Sequence, residues 1–173
     1  MSHRKLQNWG GLPHPKGMVA EDLPPWLKVY ADKIAALGIF EDKVPNHVLV
    51  NEYEAGQGIM PHEDGPLFYP TVSTVSLGSH TLLDFYHHIK EGQTENNEEK
   101  STSFDDRYFS SLLLEPRSLV LLCDDMYKVH LHGISERKED VISDKVANLD
   151  MCKTKVKIGD TLRRTTRNVK SVQ

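Results

Sequence analysis

From residue 47 onward, the sequence consists of short runs of β-branched, aromatic and leucine residues that turn residues separate. The clearest run, Thr71–Leu77, has the period-two alternation that is typical of a strand. One helical segment precedes these runs: Trp26–Leu37 carries apolar side chains at helical spacing, between the Pro24–Pro25 pair and Gly38. Because no helices alternate with the strands, the pattern argues against a parallel α/β sheet. It predicts a mainly β sandwich or jelly roll with a supporting N-terminal helix.

The expected elements divide the chain into two parts. Residues 1–46 hold a glycine- and proline-rich lid followed by the helix, and residues 47–173 hold the β domain. The strands expected in the second part are 47–53, 71–77, 81–86, 111–114, 118–123, 128–132 and one around 162–169, which a basic tail follows. Residues 91–106 interrupt the pattern, because six carboxylates accompany a single lysine there, and this composition predicts a solvated, mobile insertion.

The composition narrows the possible function classes. The chain has 173 residues and a formal net charge of −4, which excludes a histone-like polycation but leaves room for a local basic face. Two cysteines cannot form a disulfide framework or a four-cysteine zinc site. The sequence contains neither a signal-peptide core nor a run of about 18 apolar residues. We therefore expect a monomer in the cytoplasm and nucleus that does not associate with membranes.

Nine histidines are many for this length, and one of them begins the segment His62-Glu63-Asp64. On an extended segment, side chains two residues apart lie on the same face, so the imidazole of His62 and the carboxylate of Asp64 can reach one metal ion. The pair alone is a weak signal, because a chain with nine histidines readily contains such a pair by chance. A solvated loop after Pro61 is the alternative interpretation.

A metal site needs a third ligand, and His132 is the preferred candidate. It ends a strongly β-patterned run, and Gly133 follows it, which fits a strand that ends at the mouth of a site. His130 is the competing candidate, since it lies two residues away on the same face. Two histidines and one aspartate form the facial triad that holds non-haem Fe(II) and leaves positions open for other ligands.

Such an iron site needs a chelating organic acid to activate oxygen, and the distal carboxylate of that acid is best bound by an arginine. Arg167, on the expected terminal strand, is the candidate, and a solvated basic tail is the alternative. Asn51 and Tyr53 lie two residues apart on the strand before His62, so their amide and phenol can both face a barrel interior and bind the other oxygens of the acid. The alternative is a packed tyrosine beside a surface asparagine.

Several ordered blocks give the chain a specific resemblance to a known family. It resembles the AlkB-like Fe(II)/2-oxoglutarate dioxygenases over residues 4–167. The blocks that carry the resemblance are Arg4–Gly11, Asn51–Tyr53, Ile59–Pro66, Thr74–His80, Leu83–Tyr86, Leu114–Leu119 and Leu131–Ile134. The resemblance implies the double-stranded β-helix, which is a jelly roll and agrees with the strand pattern.

The resemblance also implies a site and an activity. The iron ligands would be His62, Asp64 and His132, and the 2-oxoglutarate contacts would be Asn51, Tyr53 and Arg167. The implied activity is that of an Fe(II)- and 2-oxoglutarate-dependent dioxygenase, an oxidative demethylase of alkylated nucleic acid that acts on single-stranded or locally opened strands. Two other hypotheses stay open, namely a non-catalytic or inactive truncated binding protein and a protein hydroxylase on the same scaffold.

The two ends of the chain depart from the family pattern. The relatives carry further residues before the Arg4 block, and they continue after the position of Arg167 with a Ser-Leu-Thr strand and a second arginine. We therefore expect a chain that is truncated at both ends. Val169 and Val172 are three residues apart and so fall on opposite faces of a strand, which predicts that Arg167 lies near a frayed end and binds 2-oxoglutarate weakly.

Overall fold

The computed structural model describes residues 4–66, 68–89 and 103–172. In these ranges the secondary structure is mainly β, with a few short helices. The elements are β1 (Lys5–Trp9), β2 (Gly11–His14), β3 (Gly17–Ala20), α1 (Pro25–Ala35), β4 (Val48–Tyr53), β5 (Ile59–His62), β6 (Thr71–Gly78), β7 (Thr81–His87), α2 (Phe104–Arg107), β8 (Tyr108–Leu114), β9 (Leu119–Cys123), α3 (Asp125–Lys128), β10 (His130–Ile134), β11 (Glu139–Val141), a 3₁₀ turn (Leu149–Met151), β12 (Thr161–Arg163) and β13 (Arg167–Val172).

Two antiparallel sheets form the body of the fold. One has the strand order β1-β4-β13-β6-β9, and the other has the order β5-β10-β7-β8. Apolar side chains from both sheets meet in one buried cluster, which includes Tyr53, Val72 and Val169 from the first sheet and Leu83 and Phe85 from the second. Two facing sheets with a shared core confirm the predicted mainly β jelly roll.

The predicted helix supports the first sheet from outside. Its buried side chains are Leu27, Ala31 and Ile34, which recur at helical spacing and pack with Val48 and Val172 of the sheet. Proline residues begin the helix, since a proline in the first turn removes an N–H that has no intrahelical partner. The prediction for this element is confirmed, although the helix ends two residues earlier than the sequence pattern indicated.

Strand β13 lies inside the first sheet and does not fray. It pairs with β4 and with β6 over all six of its residues. Val169 joins the core between the sheets, whereas Val172 packs against α1, so the prediction that they face opposite sides is confirmed. The expectation that Arg167 lies near a frayed end is wrong, because neighbouring strands bond both edges of β13. The predicted single strand over 162–169 is also wrong, since it divides into β12 and β13.

Several local expectations differ from the structure. The glycine- and proline-rich stretch before α1 contains strands that its composition does not predict: β1 pairs with β4 at the sheet edge, and β2 and β3 form a hairpin. The strand expected over 128–132 begins only at His130, because α3 occupies Asp125–Lys128. Most of the acidic segment, residues 91–102, lies outside the described residues, and its end forms α2. The boundary at residue 46 stays a prediction.

None of the helices in the described ranges is long and apolar enough to cross a membrane.

Candidate metal centre and cosubstrate cavity

The three predicted metal ligands lie together at one end of the second sheet. His62 ends β5 and stands directly opposite His132 of β10 in the strand register, and their ring centroids are 4.5 Å apart. Asp64 follows two residues after His62, and its Oδ2 is 3.8 Å from Nε2 of His132. One donor atom from each of the three residues lies within 4.8 Å of the other two. Two imidazoles and one carboxylate in this arrangement match the donor set of a non-haem Fe(II) facial triad.

Gly133 explains how β5 and β10 come so close. It lies inside β10 and does not end the strand, so the structural role expected for it is wrong. A Cβ at this position would lie 2.9 Å from the backbone N of Pro61 and 3.0 Å from the carbonyl O of Ile59. Only a glycine therefore lets the two backbones approach at this point, and that approach places His62 against His132.

Hydrogen bonding and burial prepare both imidazoles to bind a metal. Nδ1 of His62 lies 2.8 Å from the carbonyl O of Met60. A neutral ring that donates through Nδ1 keeps the lone pair of Nε2 available for a cation. Burial, assisted by the neighbouring His62, lowers the pKa of His132 to about 3. His132 is therefore uncharged at neutral pH, as a metal ligand must be.

His130, the competing candidate, does not join this cluster. It pairs with His87 of β7 in the strand register, and its ring lies 5.3 Å from that of His87 and 4.9 Å from that of Phe109. Within the described part of the chain, the residues that could hold a metal together are His62, Asp64 and His132. The structure thus brings together the three ligands that the sequence favoured.

The three candidate metal ligands line a cavity of about 110 Å³ between the two sheets. The predicted cosubstrate contacts Asn51, Tyr53 and Arg167 also line this cavity. Asn51 and Tyr53 belong to β4, and Arg167 stands opposite Tyr53 on β13, so the pairing of these two strands assembles one wall. Most of the remaining lining is apolar, with side chains such as Val72, Leu83 and Leu122, and Thr74 and Ser171 are among the polar side chains that complete it.

Arg167 is a buried cation, and two of its three donor nitrogens have no hydrogen-bond partner among the described residues. It is 3% exposed, and neither its Nε nor its Nη1 has a hydrogen-bond partner among the described residues. Its Cζ lies 5.1 Å from the centroid of the Tyr53 ring. Burial lowers the pKa of the guanidinium to about 10, so it remains charged at neutral pH. Because an unpaired buried charge is costly, this side chain fits a site for a ligand carboxylate.

The sequence analysis missed a further cavity residue, Arg4. Its Nε donates to Oδ1 of Asn51 at 2.8 Å, and its side chain lines the cavity. Burial raises the pKa of the Tyr53 phenol, and the positive charges of Arg4 and Arg167 oppose that rise. Recognition of β1 as a partner of β4 would have pointed to Arg4, but the glycine and proline content of the first 25 residues indicated a loop.

Comparison with known proteins agrees with this site. Residues 2–164 match the profile of the 2OG-Fe(II) oxygenase superfamily. A zebrafish protein named probable RNA/DNA demethylase ALKBH6 is 54% identical over 96% of this chain and 69% of its own length. The uncharacterized protein L905 of Acanthamoeba polyphaga mimivirus is 31% identical over 71% of this chain and 53% of its own length.

A solved structure shares the fold. The structure of OsALKBH1 superposes with a TM-score of 0.53 at 18% identity, and the match covers 100% of this chain and 81% of that one. At this identity the likeness supports the jelly-roll architecture alone.

The profile match spans most of the sequence, and the zebrafish protein is identical at more than half of the aligned positions. The resemblance found in the sequence is thereby confirmed, and the chain belongs to the 2OG-Fe(II) oxygenase superfamily, as an AlkB-type member with Fe(II) as metal and 2-oxoglutarate as cosubstrate.

Proposed function

We propose that this chain acts as an oxidative demethylase of alkylated nucleic acid. The observation that carries the oxygenase part is the buried guanidinium of Arg167, whose Nε and Nη1 lack a partner among the described residues, in a cavity that two histidines and an aspartate also line. A purely structural cavity of this size gains nothing from an unpaired charge, whereas a site for a dicarboxylic acid needs one. The nucleic-acid part is supported by the name of the zebrafish relative.

The side chains divide the work of binding. His62, Asp64 and His132 would hold Fe(II), and Arg167 would bind the distal carboxylate of 2-oxoglutarate through its planar fork. When both are bound, Fe(II) and 2-oxoglutarate would activate dioxygen: one oxygen atom would oxidise the acid to succinate and CO₂, and the other would hydroxylate a carbon–hydrogen bond, such as that of an N-methyl group. Tyr53 stacks on Arg167 and restricts its movement, and the apolar lining keeps water from the reacting groups.

A nucleic-acid substrate places two demands on the protein. The alkylated base must leave the stack to reach a metal inside a jelly roll, so single-stranded or locally opened strands should bind better than duplexes. The net charge of −4 limits nonspecific attraction to phosphates, and any affinity should fall as salt rises. A location in the cytoplasm and nucleus belongs to this proposal.

Metal binding provides the first test. Mn(II), titrated into the apoprotein by calorimetry, should bind one ion per chain, and His62→Ala or His132→Ala should abolish that binding because each removes one of three donors. His130→Ala is the matched control, because it truncates an imidazole on the same strand face and should leave the stoichiometry unchanged. Loss of the metal in His130→Ala with retention in His132→Ala would contradict the ligand assignment.

Turnover provides the second test. With Fe(II) and 2-oxoglutarate, the protein should release succinate, and N-methylated single-stranded RNA or DNA should increase that release and lose its methyl groups. Metal binding without succinate release would favour a non-catalytic binding protein. Succinate release that methylated nucleic acid does not stimulate would favour the protein hydroxylase hypothesis.

A further inference from the structure

The first strand brings a second guanidinium to the cosubstrate cavity. β1 pairs with β4 in a register that sets Lys5 opposite Glu52 and Leu6 opposite Asn51. Directly opposite residues of an antiparallel pair share a face, so the side of β1 that carries Leu6 faces the same way as Asn51. Arg4 lies on this side, two residues before Leu6, and its side chain reaches Asn51 and the cavity.

The contact with Arg4 determines which way the Asn51 amide is turned. A guanidinium carries only donors, whereas a primary amide carries one acceptor oxygen and one donor nitrogen. With Nε of Arg4 at 2.8 Å, the amide oxygen must face Arg4. The Nδ2 group therefore remains to donate to whatever acceptor enters the cavity. Asn51 is 8% exposed, so solvent competes little for this arrangement.

Chemical complementarity identifies the acceptor. Every oxygen of 2-oxoglutarate accepts hydrogen bonds at neutral pH, so an amide that presented its oxygen to this ligand would repel it. We propose that Arg4 is a positioning residue of the cosubstrate site, which holds the Asn51 amide so that Nδ2 donates to 2-oxoglutarate. This inference rests on the proposed function, because it assumes that the cavity takes this acid.

The opposite face of β1 supplies a matched control. Lys5 binds Glu52 through an exposed ion pair of 2.9 Å, on the face that points away from the cavity. Lys5→Met removes one positive charge from the same strand, next to Arg4, without touching Asn51. Arg4→Met removes the same charge together with the donor. The two variants therefore separate the Asn51 contact from the general loss of a cation on β1.

The experiment measures the affinity of the Mn(II)-loaded protein for 2-oxoglutarate by calorimetry. Arg4→Met should weaken binding about tenfold, the equivalent of one net hydrogen bond, and Lys5→Met should change it less than about twofold. Arg4→Gln keeps a donor without a charge and should retain most of the affinity. Melting temperatures of all variants establish that each is folded, and if Arg4→Met does not fold, Arg4→Leu, which also removes the donor and the charge, takes its place in the single and double variants.

A double variant separates positioning from direct attraction. If Arg4 acts through Asn51, then Arg4→Met combined with Asn51→Ala should bind no more weakly than Asn51→Ala alone. Additive losses, or a full loss in Arg4→Gln alone, would overturn the positioning role and assign a direct effect of charge. Unchanged binding in both Arg4→Met and Arg4→Gln would overturn the inference while leaving the proposed function in place. Failure of the native protein to bind 2-oxoglutarate would overturn both.

Discussion

Arg164 and Arg167 are three residues apart, and both are buried, with exposed fractions of 4% and 3%. Arg164 uses its whole fork: Nε and Nη2 donate to the two carboxylate oxygens of Asp140 at 2.7 and 2.6 Å, and Nη1 donates to the carbonyl of Ser135 at 2.7 Å. Arg167 has an aromatic ring beside it and no partner for Nε or Nη1 among the described residues. The same side chain at similar burial is thus saturated in one place and unsatisfied in the other.

The difference separates a structural charge from a ligand site. A buried arginine with a bidentate carboxylate partner offsets its desolvation within the fold. A buried arginine without such a partner keeps that cost until a ligand supplies the missing carboxylate. Arg167 also lines the cavity that the candidate metal ligands line, whereas Arg164 does not line that cavity and binds Asp140 of β11. We infer that Arg164 stabilises the fold and that Arg167 stabilises the complex with a ligand.

Asp140 is the centre of the saturated region. It is fully buried and also accepts from Nε of Arg137 at 2.9 Å. Arg137 lies 3.4 Å from Asp84 of β7, whose other oxygen accepts from Ser111 of β8. Positively charged donors and negatively charged acceptors alternate along this network, and both oxygens of the central Asp140 have partners. The network therefore connects the second sheet with β11 and with the residues that follow β12.

The largest effect is expected at Asp140. Asp140→Asn keeps the shape of the side chain but removes the charge that both arginines share, and it should lower the free energy of unfolding by about 3–5 kcal/mol. Urea denaturation followed by circular dichroism measures the change. Arg163→Met is the matched control, because Arg163 adjoins Arg164 but is 82% exposed, and it should change stability by less than about 0.5 kcal/mol. Equal effects of the two variants would refute the structural role of the network.

Arg167→Met should have little effect on stability and a large effect on the affinity for 2-oxoglutarate. It removes a charge without a protein partner, so the unfolding free energy should fall by less than about 1 kcal/mol or should rise. The affinity for 2-oxoglutarate should fall about 100-fold, the equivalent of about 2.7 kcal/mol, since truncation of one partner of a buried charge pair costs roughly 2–5 kcal/mol. Calorimetry on the Mn(II)-loaded protein and urea denaturation of the apoprotein measure the two quantities. A variant that loses stability but keeps affinity would show that Arg167 is a structural residue.

Three arginines in five residues show where prediction from sequence stops. Arg163 is exposed, Arg164 is paired and Arg167 lines the cavity, yet nothing in the local sequence distinguishes them. Their roles depend on the break between β12 and β13, which turns the chain, and on Asp140, which lies 24 positions before Arg164. The sequence pattern predicted a strand near Arg167, but the partner of each guanidinium is determined by the tertiary structure.

The same limit explains which strands were predicted. Strands such as β6 and β7 pack against apolar neighbours on the sheet interior, so their hydrophobic pattern is visible in the sequence. The interior face of β13 carries Arg167, Val169 and Ser171, which line the cosubstrate cavity, and because two of the three are polar, the sequence pattern suggested a tail. β1 is exposed over most of its length, so it carries no hydrophobic pattern from which a strand could be predicted. The set of His62, Asp64 and His132 could be predicted from the sequence, since residue spacing and family resemblance do not depend on burial.

Ligand binding should distinguish the two regions through stability. At a 2-oxoglutarate concentration of about 100 times its dissociation constant, binding to the folded state alone stabilises a protein by about 2.7 kcal/mol. The native protein with Mn(II) should show this gain, and Arg167→Met at the same ligand concentration should show almost none. Asp140→Asn should show the full gain on a lower baseline, because its cavity is intact. A similar gain in Arg167→Met and the native protein would place the acid elsewhere.

The smallest expected effect is a dependence of the unfolding free energy on acidic pH, which arises from Asp140 and not from Arg167. Burial raises the pKa of Asp140, but the hydrogen bonds and charges of Arg164 and Arg137 outweigh it and hold that pKa below its ordinary value of 3.8. The unfolded chain then binds more protons than the folded one, so the contribution of Asp140 to stability is complete above about pH 4 and declines as the pH falls through the folded pKa.

The comparison should be made in a His80→Gln background, because His80 lies 3.7 Å from Asp140, and its pKa, which burial lowers, also responds to the charge of Asp140. In that background, the stability difference between the parent and Asp140→Asn should be constant from about pH 7 to pH 5 and should shrink below pH 4. Arg167→Met should not alter the shape of this curve, since its guanidinium stays charged throughout the range. A difference that begins to shrink near neutral pH, or that does not shrink in acid, would mean that the Asp140 carboxylate is not held ionised by its two arginines.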